Sequence, residues 1–393
     1  MGGWSPLGFL LCTLLLLPIA RAFSELAKRH EDQGAAFLYC HRAFGPQVGY
    51  VIGVLCWANS FVSWAASSTL LASVLGFEGV WRQVAAAAVT LALGAVNYVG
   101  VRPGAFVVRA VVIGKVAAIL CYLLVALAAF DPARVGGELP LGLRGVGDGI
   151  FIALYPLQGF EVAPVAAGET KQAKSSVPFG TMGALLFSSA LFVLVQLTMV
   201  GAYPGIAQKT DEPLVAAARH VSPTLGLIVL VGSVVSIAGF SAGSALGTPR
   251  FAQAIARAGL LPASLARTHP RFESPYVAIT ISTLLTMVLA SGLDYRRLVG
   301  ISNLTVVLQY LGSCVALGVE RRREARAASA PLAPTALVIP ALGSLASLGL
   351  LYLGAKLEDA LVAVGCVAVG LLVRAGLGAL ERRRALSSGG RAS

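Results

Sequence analysis

The sequence predicts an all-α, polytopic membrane protein with about eleven transmembrane helices, counted at about twenty apolar residues per crossing. Three observations predict it. Of 393 residues, 57% are apolar and only 12% charged, too few charges to coat a soluble body of this size. Long uncharged runs recur from one end of the chain to the other. The cations sit in the short links between those runs, concentrated in alternate links, as orientation in a bilayer requires.

The qualifying runs lie at 7–23, 48–71, 84–101, 107–129, 149–165, 179–202, 225–246, 277–291, 298–319, 337–353 and 360–373. Most are plain hydrocarbon-length stretches. The second carries Trp57, Asn59 and Ser60, the seventh Ser236 and Ser241, and the ninth opens on Ser302 and Asn303. These polar residues either line a cavity or serve as helix-packing contacts. Lys115 lies inside the fourth run, ~9 Å beyond Arg109 by helical rise.

The fifth run is different. GIFIALYPLQGFEVAPV (149–165) is interrupted by Pro156, Gly159 and Pro164 and carries Gln158 and Glu161. In hydrocarbon, each freed backbone group and each ionisable side chain costs kilocalories, so a broken helix persists only against protein or a water-filled cavity. Solute sites of membrane carriers are built this way.

Cation-rich links hold Arg21, Lys28, Arg29 and Arg42; Arg102 and Arg109; Lys171 and Lys174; Arg250, Arg257, Arg267 and Arg271; Arg321, Arg322, Arg323 and Arg326; and the tail with Arg382, Arg383, Arg384 and Arg391. The opposite links, as at 131–148 and 208–219, carry fewer cations and more acids. The C-terminus is therefore expected inside and the N-terminus outside. The formal net charge of +12 invites a nucleic-acid partner, but no basic face with interleaved aromatics exists to bind one. Residues 1–24 have an A-x-A pattern at Ala20 and Ala22 but no basic region ahead of the apolar run, against a secretory leader.

No cysteine pair has metal-ligand or redox spacing. Cys12, Cys56, Cys121, Cys314 and Cys366 read as small buried apolar residues, and Cys40 falls in a basic link. His30, His41, His220 and His269 are expected on solvated loops. No H-E-x-x-H, Walker loop or nucleophile elbow is present, so an enzyme and a cofactor are not expected.

Four segments, in order, resemble signatures of the amino acid, polyamine and organocation permeases. GFEVAPVAAGETKQAKSSVPFG (159–180) is similar to the G-F-[ED] … E-x-K … V-P signature, with Tyr155 as the aromatic four residues before the glycine. AFSELAKRHEDQGAAFLYCHRAFG (22–45) resembles the A-x-x-E-L loop, NYVGVRPGAFVVRAVVIGK (97–115) the N-x-x-G-V-K segment, and TPRFAQAIARAGLLPASLARTHPRFESP (248–275) the S-R-x-x-x-A-x-A-R-D-G-x-L-P loop. Departures are local: His30, Glu31 and Asp32 replace a Pro-centred stretch, Ala258 stands where Asp is common, and 172–175 lacks Asn-Pro.

The resemblance implies an inverted five-helix-repeat, leucine-transporter-like fold. On that pattern 1–130 is a first repeat with four helices, 131–319 a second repeat containing the interrupted helix 149–165, 320–376 two accessory helices, and 377–393 a basic cytoplasmic tail. Trp4-Ser5-Pro6 matches the usual entry to family helix 2, so an N-terminal truncation or misplaced start is expected. Function follows as secondary active, proton-coupled transport of amino acids or related amines by alternating access; a truncated, non-transporting paralogue or sensor is the alternative.

By the same resemblance the substrate site comprises Tyr155, Pro156, Leu157, Gln158, Gly159 and Trp57, and proton coupling falls to Lys115 and Glu161. Lys115 corresponds to a lysine that occupies the sodium site of sodium-coupled relatives; snorkelling to the interface is the other reading. Glu161 either caps freed amides or carries protons. Tyr155 either gates the site or packs the core. Expected partners are a small amino acid or amine, protons and membrane lipid, with no metal and no nucleic acid. Members joined covalently to a glycoprotein use an external cysteine, and the matching loop 73–83 has none. The abundance of Ala, Gly and Arg suggests a GC-rich bacterial genome, hence a multi-pass inner-membrane location.

Overall fold

The structure, a computed structural model, describes residues 2–30, 34–100, 105–137, 142–162, 173–206 and 213–389. Glu31, Asp32, Arg102, Pro164, Lys171, Gln172 and the acids near 211 lie outside them.

Thirteen α-helices occur among the described residues, and no strand. They are α1 (Ser5–Arg29), α2 (Ala35–Phe44), α3 (Pro46–Val74), α4 (Gly79–Tyr98), α5 (Ala105–Ala128), α6 (Gly142–Leu157), α7 (Ala173–Ala202), α8 (Pro213–Val221), α9 (Pro223–Arg257), α10 (Tyr276–Gly292), α11 (Tyr295–Ala327), α12 (Val338–Gly354) and α13 (Leu357–Gly389). Among the described residues nine helices are long and apolar enough to cross a membrane. The other two predicted runs are α10, an apolar helix of 17 residues, and α6, which stops after 16. Neither is a full crossing by length, because α10 reaches only ~26 Å and α6 ends at its own break.

Two segments expected as loops are largely helical. Residues Ala22 to Arg29 finish α1 and Ala35 to Phe44 form α2, which places Cys40 in the core with no exposure. Likewise α9 continues past the predicted end of its span to Arg257. Pro249 interrupts its ladder but not its axis. Having no N–H, Pro249 leaves the Ala245 carbonyl without its intrahelical donor, and the buried Asn97 side chain of α4 supplies one at 2.7 Å. Replacing Asn97 with leucine strands that carbonyl, and a loss of about 1–3 kcal/mol is expected. A thermal midpoint unchanged from wild type in detergent would show that the carbonyl has another donor.

The bundle is organised around α3 and α11, the most enclosed of the spans. Helices apolar on every side belong inside a helical array. α1 packs on α7 and α12, α3 on α9 and α11, and α4 on α10. Outward faces are apolar, with Leu124, Phe179, Val288 and Leu372 exposed, and the exposed aromatics Trp81 and Tyr352 suit the membrane interface. Asp294 caps α11, its carboxylate accepting from the Arg297 N–H at 3.0 Å.

Candidate functional site

α6 packs chiefly on α1 and α12, and its C-terminal end meets α11 through Gln158 and α3 through the Tyr155 hydroxyl. Its last turn contains Pro156, and the Gln158 N–H is shared between the Leu154 and Tyr155 carbonyls at 3.0 and 3.3 Å. Gly159 then turns the chain at φ +116°, a conformation closed to most L-residues, and a short 3₁₀ turn follows over 160–162. The chain thus reverses its twist three residues after Pro156, at a glycine.

The break divides α6 into two faces. Ile152, Pro156, Gly159 and Val162 are exposed, whereas Phe151, Leu154, Leu157 and Glu161 are buried. Pro156 and Gly159, expected at the substrate site, lie on the exposed face. Leu157 packs into the main core with Phe23, Phe160 and Tyr310. Gln158 and Tyr155 are half-buried and turn towards α3 and α11.

Around Gln158 the polar groups of three helices converge. Its Nε2 donates to Asn303 Oδ1 at 2.6 Å, and Asn303 Nδ2 donates to the Phe151 carbonyl at 2.6 Å. The Ser302 hydroxyl lies 2.8 Å from Asn59 Oδ1 and 3.3 Å from Gln158 Oε1. One hydroxyl proton cannot serve both acceptors fully, so this junction can rearrange without breaking a strong bond. Ser63 sits 2.9 Å from Ser302, and the Tyr155 hydroxyl reaches the Ser63 carbonyl at 3.4 Å. Thr305 adds a contact of 3.3 Å to Asn59.

Glu161 closes the other side of the turn. It is 6% exposed, and one of its oxygens accepts both the Gly159 N–H at 2.9 Å and the Tyr310 hydroxyl at 3.0 Å. The carboxylate thereby holds the unwound backbone against α11. Tyr310 also stacks on Phe160 with ring centroids 5.4 Å apart.

Trp57 and Lys115 stand apart from this cluster. Two residues along α3, Trp57 and Asn59 point ~200° apart. The Trp57 indole donates instead to Ser282 of α10 at 3.0 Å. Lys115 is half-buried on α5, on the same helical stripe as Val111 and Ala118. Those two residues abut Gly239 and Gly232 of α9, so the lysine lies on the α9-facing side. Among the described residues it has no hydrogen-bond or ion-pair partner. Of the other polar residues, Ser60 pairs with Thr248 at 2.7 Å and Ser241 with Ser67 at 2.8 Å, both as interhelical packing contacts.

At the arginine-rich end of the bundle, ion pairs tie α1, α2 and α11 together. Glu25 pairs with Arg321 and, at 3.6 Å, with Arg29; Arg29 also meets Glu324 at 2.9 Å. His30 is not a solvated loop residue. Its Nε2 lies 2.8 Å from Glu320 and its Nδ1 2.7 Å from Arg42, and since guanidinium only donates, Nδ1 must accept. His220 stacks on Tyr203 and His269 on Phe272, and His41 lies on α2 beside Phe37 one helical turn away.

Sequence reasoning named Asn59, Ser302 and Asn303 but favoured helix packing over cavity lining for most such residues, and it missed Ser63 and Tyr310. A signal existed on α11. Ser302, Asn303, Thr305, Gln309, Tyr310 and Ser313 put polar atoms at helical spacing through an otherwise apolar span, all buried. Chemically, the assembled amides and hydroxyls offer donors and acceptors of both kinds beside one carboxylate, a set suited to a small zwitterion. Among the described residues no group of His, Cys, Asp and Glu could hold a metal ion.

Comparison with known proteins identifies the family of the chain. A family model described as amino acid permease matches residues 2–367. An uncharacterised transporter of Mycobacterium tuberculosis is 28% identical, covering 96% of this chain and 84% of its own length. A branched-chain amino acid permease of Bacillus subtilis is 24% identical over 86% of this chain and 78% of its own. A serine/threonine exchanger of Bacillus subtilis is 26% identical over 87% and 81% respectively.

Proposed function

The chain belongs to the amino acid permease family, and from that premise we propose that it is a proton-coupled secondary transporter of neutral amino acids working by alternating access. The observation that carries the proposal is the break at the end of α6, with Gln158 bonded to Asn303 and Ser302 and Glu161 holding the turn. A continuous helix would leave these groups no reason to face a broken backbone. The neutral side chains of the substrates named for the two Bacillus relatives suit a cluster of amides and hydroxyls without a second charge.

In the proposed cycle the α-ammonium and carboxylate of the solute replace the mutual bonds of Gln158, Asn303, Ser302 and Asn59. Solute binding then exchanges one set of hydrogen bonds for another, at little net cost in a dry interior. Helix pairing supports a two-unit arrangement, with α1, α3, α4 and α5 in one unit and α6, α7, α9, α10 and α11 in the other. Successive helices of the first unit pack on successive helices of the second after α6, α1 on α7, α3 on α9 and α4 on α10. Rocking of one unit on the other would open the α6 turn to each side of an inner membrane in turn, with the arginine-rich end in the cytoplasm.

Uptake of labelled leucine, valine, serine and threonine into proteoliposomes, with and without an inward proton gradient, tests the reading. Accumulation above equilibrium only with the gradient is expected. Well-folded protein that moves none of the four in either condition would overturn it. Lys115, on the α9-facing side of α5, is assigned the coupling role. Lys115→Ala is expected to keep exchange of internal for external amino acid while losing gradient-driven accumulation. Accumulation at the wild-type level in that variant would remove Lys115 from the mechanism.

A further inference from the structure

A cavity lies away from the α6 turn, where α4 ends, α10 begins and the last turns of α9 pass between them. Its volume is ≈ 200 Å³. One wall is a stripe of α9, Arg250, Gln253 and Arg257, which the helical repeat brings onto one face with the two arginines ~10 Å apart along the axis. The facing wall is the loop from Thr268 to Pro275.

That loop is a built element. The Ser274 carbonyl accepts the His269 N–H at 2.8 Å, and His269 Nδ1 accepts the Arg271 and Phe272 N–H groups at 3.2 and 3.3 Å. The Ser274 hydroxyl anchors it to the Tyr98 carbonyl of α4 at 2.7 Å. The cavity is thus preformed, and a preformed site loses little freedom when it fills.

Its electrostatics are one-sided. Arg250 and Arg257 have no ion-pair or hydrogen-bond partner among the described residues, although Arg29, Arg134, Arg297 and Arg321 all find carboxylates. Arg271 lies in the same loop with its guanidinium 5.5 Å from the Phe272 ring centroid, and Glu273 is the one acid among the lining residues. Gln253 is nearly buried, and its amide reaches the Ala266 carbonyl only at 3.5 Å, the outer limit of a hydrogen bond. Leu246, Phe272 and Pro275 give the lining an apolar part.

We propose that this cavity binds a phosphate-bearing anion, either the headgroup of an anionic phospholipid or free phosphate. Two guanidinium forks on one helix face match the oxygens of a phosphate, which a carboxylate-poor pocket leaves free to enter. Basic pockets between helices at a membrane surface bind lipid headgroups by this chemistry, and the apolar lining accommodates the start of an acyl chain.

The full chain, purified in a neutral detergent, is titrated with phosphatidylglycerol, phosphatidylcholine or inorganic phosphate, reading bound ligand by native mass spectrometry and the thermal midpoint. Wild type is expected to bind phosphatidylglycerol roughly tenfold or more tightly than phosphatidylcholine, given the contribution of each arginine near a headgroup. R250Q/R257Q should abolish that preference, and E273Q should strengthen it. Protection by inorganic phosphate alone, equal to that by phosphatidylglycerol and lost in R250Q/R257Q, supports the site with free phosphate as its ligand. Wild type that treats all three additives alike, or an E273Q variant with unchanged preference, overturns the proposal, the latter even if R250Q/R257Q does not fold. None of these readouts depends on amino acid uptake.

Discussion

Glu161→Ala is expected to abolish transport and to lower the yield of folded protein sharply. The alanine leaves the part-buried Gly159 N–H and the buried Tyr310 hydroxyl, which now share one carboxylate oxygen, without that acceptor. Each stranded donor costs about 1–3 kcal/mol, and the total is comparable to a large part of a typical protein's net stability. Glu161→Gln separates architecture from charge, since an amide oxygen can accept from both donors in the same place. That variant should be monodisperse by size exclusion and should still exchange amino acids. If the carboxylate also moves a proton, its uptake should no longer respond to the pH gradient. Glu161→Ala protein with wild-type thermal stability would show that the turn is held by other contacts.

Gly354→Val is the second large effect. Gly354 closes α12 where that helix meets α6, and a Cβ built there falls on the Phe151 ring. The ring is nearly buried, so it can yield only by moving α6. Overpacking of this kind costs about 1–3 kcal/mol. The displacement would also carry the Phe151 carbonyl away from Asn303, which anchors Gln158. Loss of both thermal stability and uptake is expected, with Gly354→Ala intermediate. A compensating Phe151→Leu in the Gly354→Ala background should restore stability by making room for the methyl group. Failure of that rescue would mean that the contact between Gly354 and Phe151 is not what limits the variant.

Much of this was legible in the residues themselves. Run length and charge placement marked each apolar helix, and Pro156, Gln158 and Gly159 marked where one of them stops. Helix ends were legible less well. α1 and α9 overran their predicted spans because nothing in Ala22 to Arg29 or after Pro249 breaks a helix, and loop motifs carry no signal for continued helicity. His30 was misread because its partner Glu320 is far away in the chain.

What the sequence by itself determined was the solvent of this protein and the position of its weak point. An apolar run long enough to cross lipid must be helical, since backbone groups there have no water to bond, and a proline, a glycine and an acid inside such a run require shelter. Only the tertiary structure decided what meets them: Glu161 is buried against Tyr310, while Pro156 and Gly159 stay exposed. Helical period places Asn59 and Ser63 together on α3, and Ser302 and Asn303 side by side on α11, yet nothing local says that these faces meet Gln158. Nor does anything local say that Trp57, two residues from Asn59, turns the other way to Ser282. Those choices depend on which helices pack together, a property of contacts more than a hundred residues apart in sequence that no local pattern encodes.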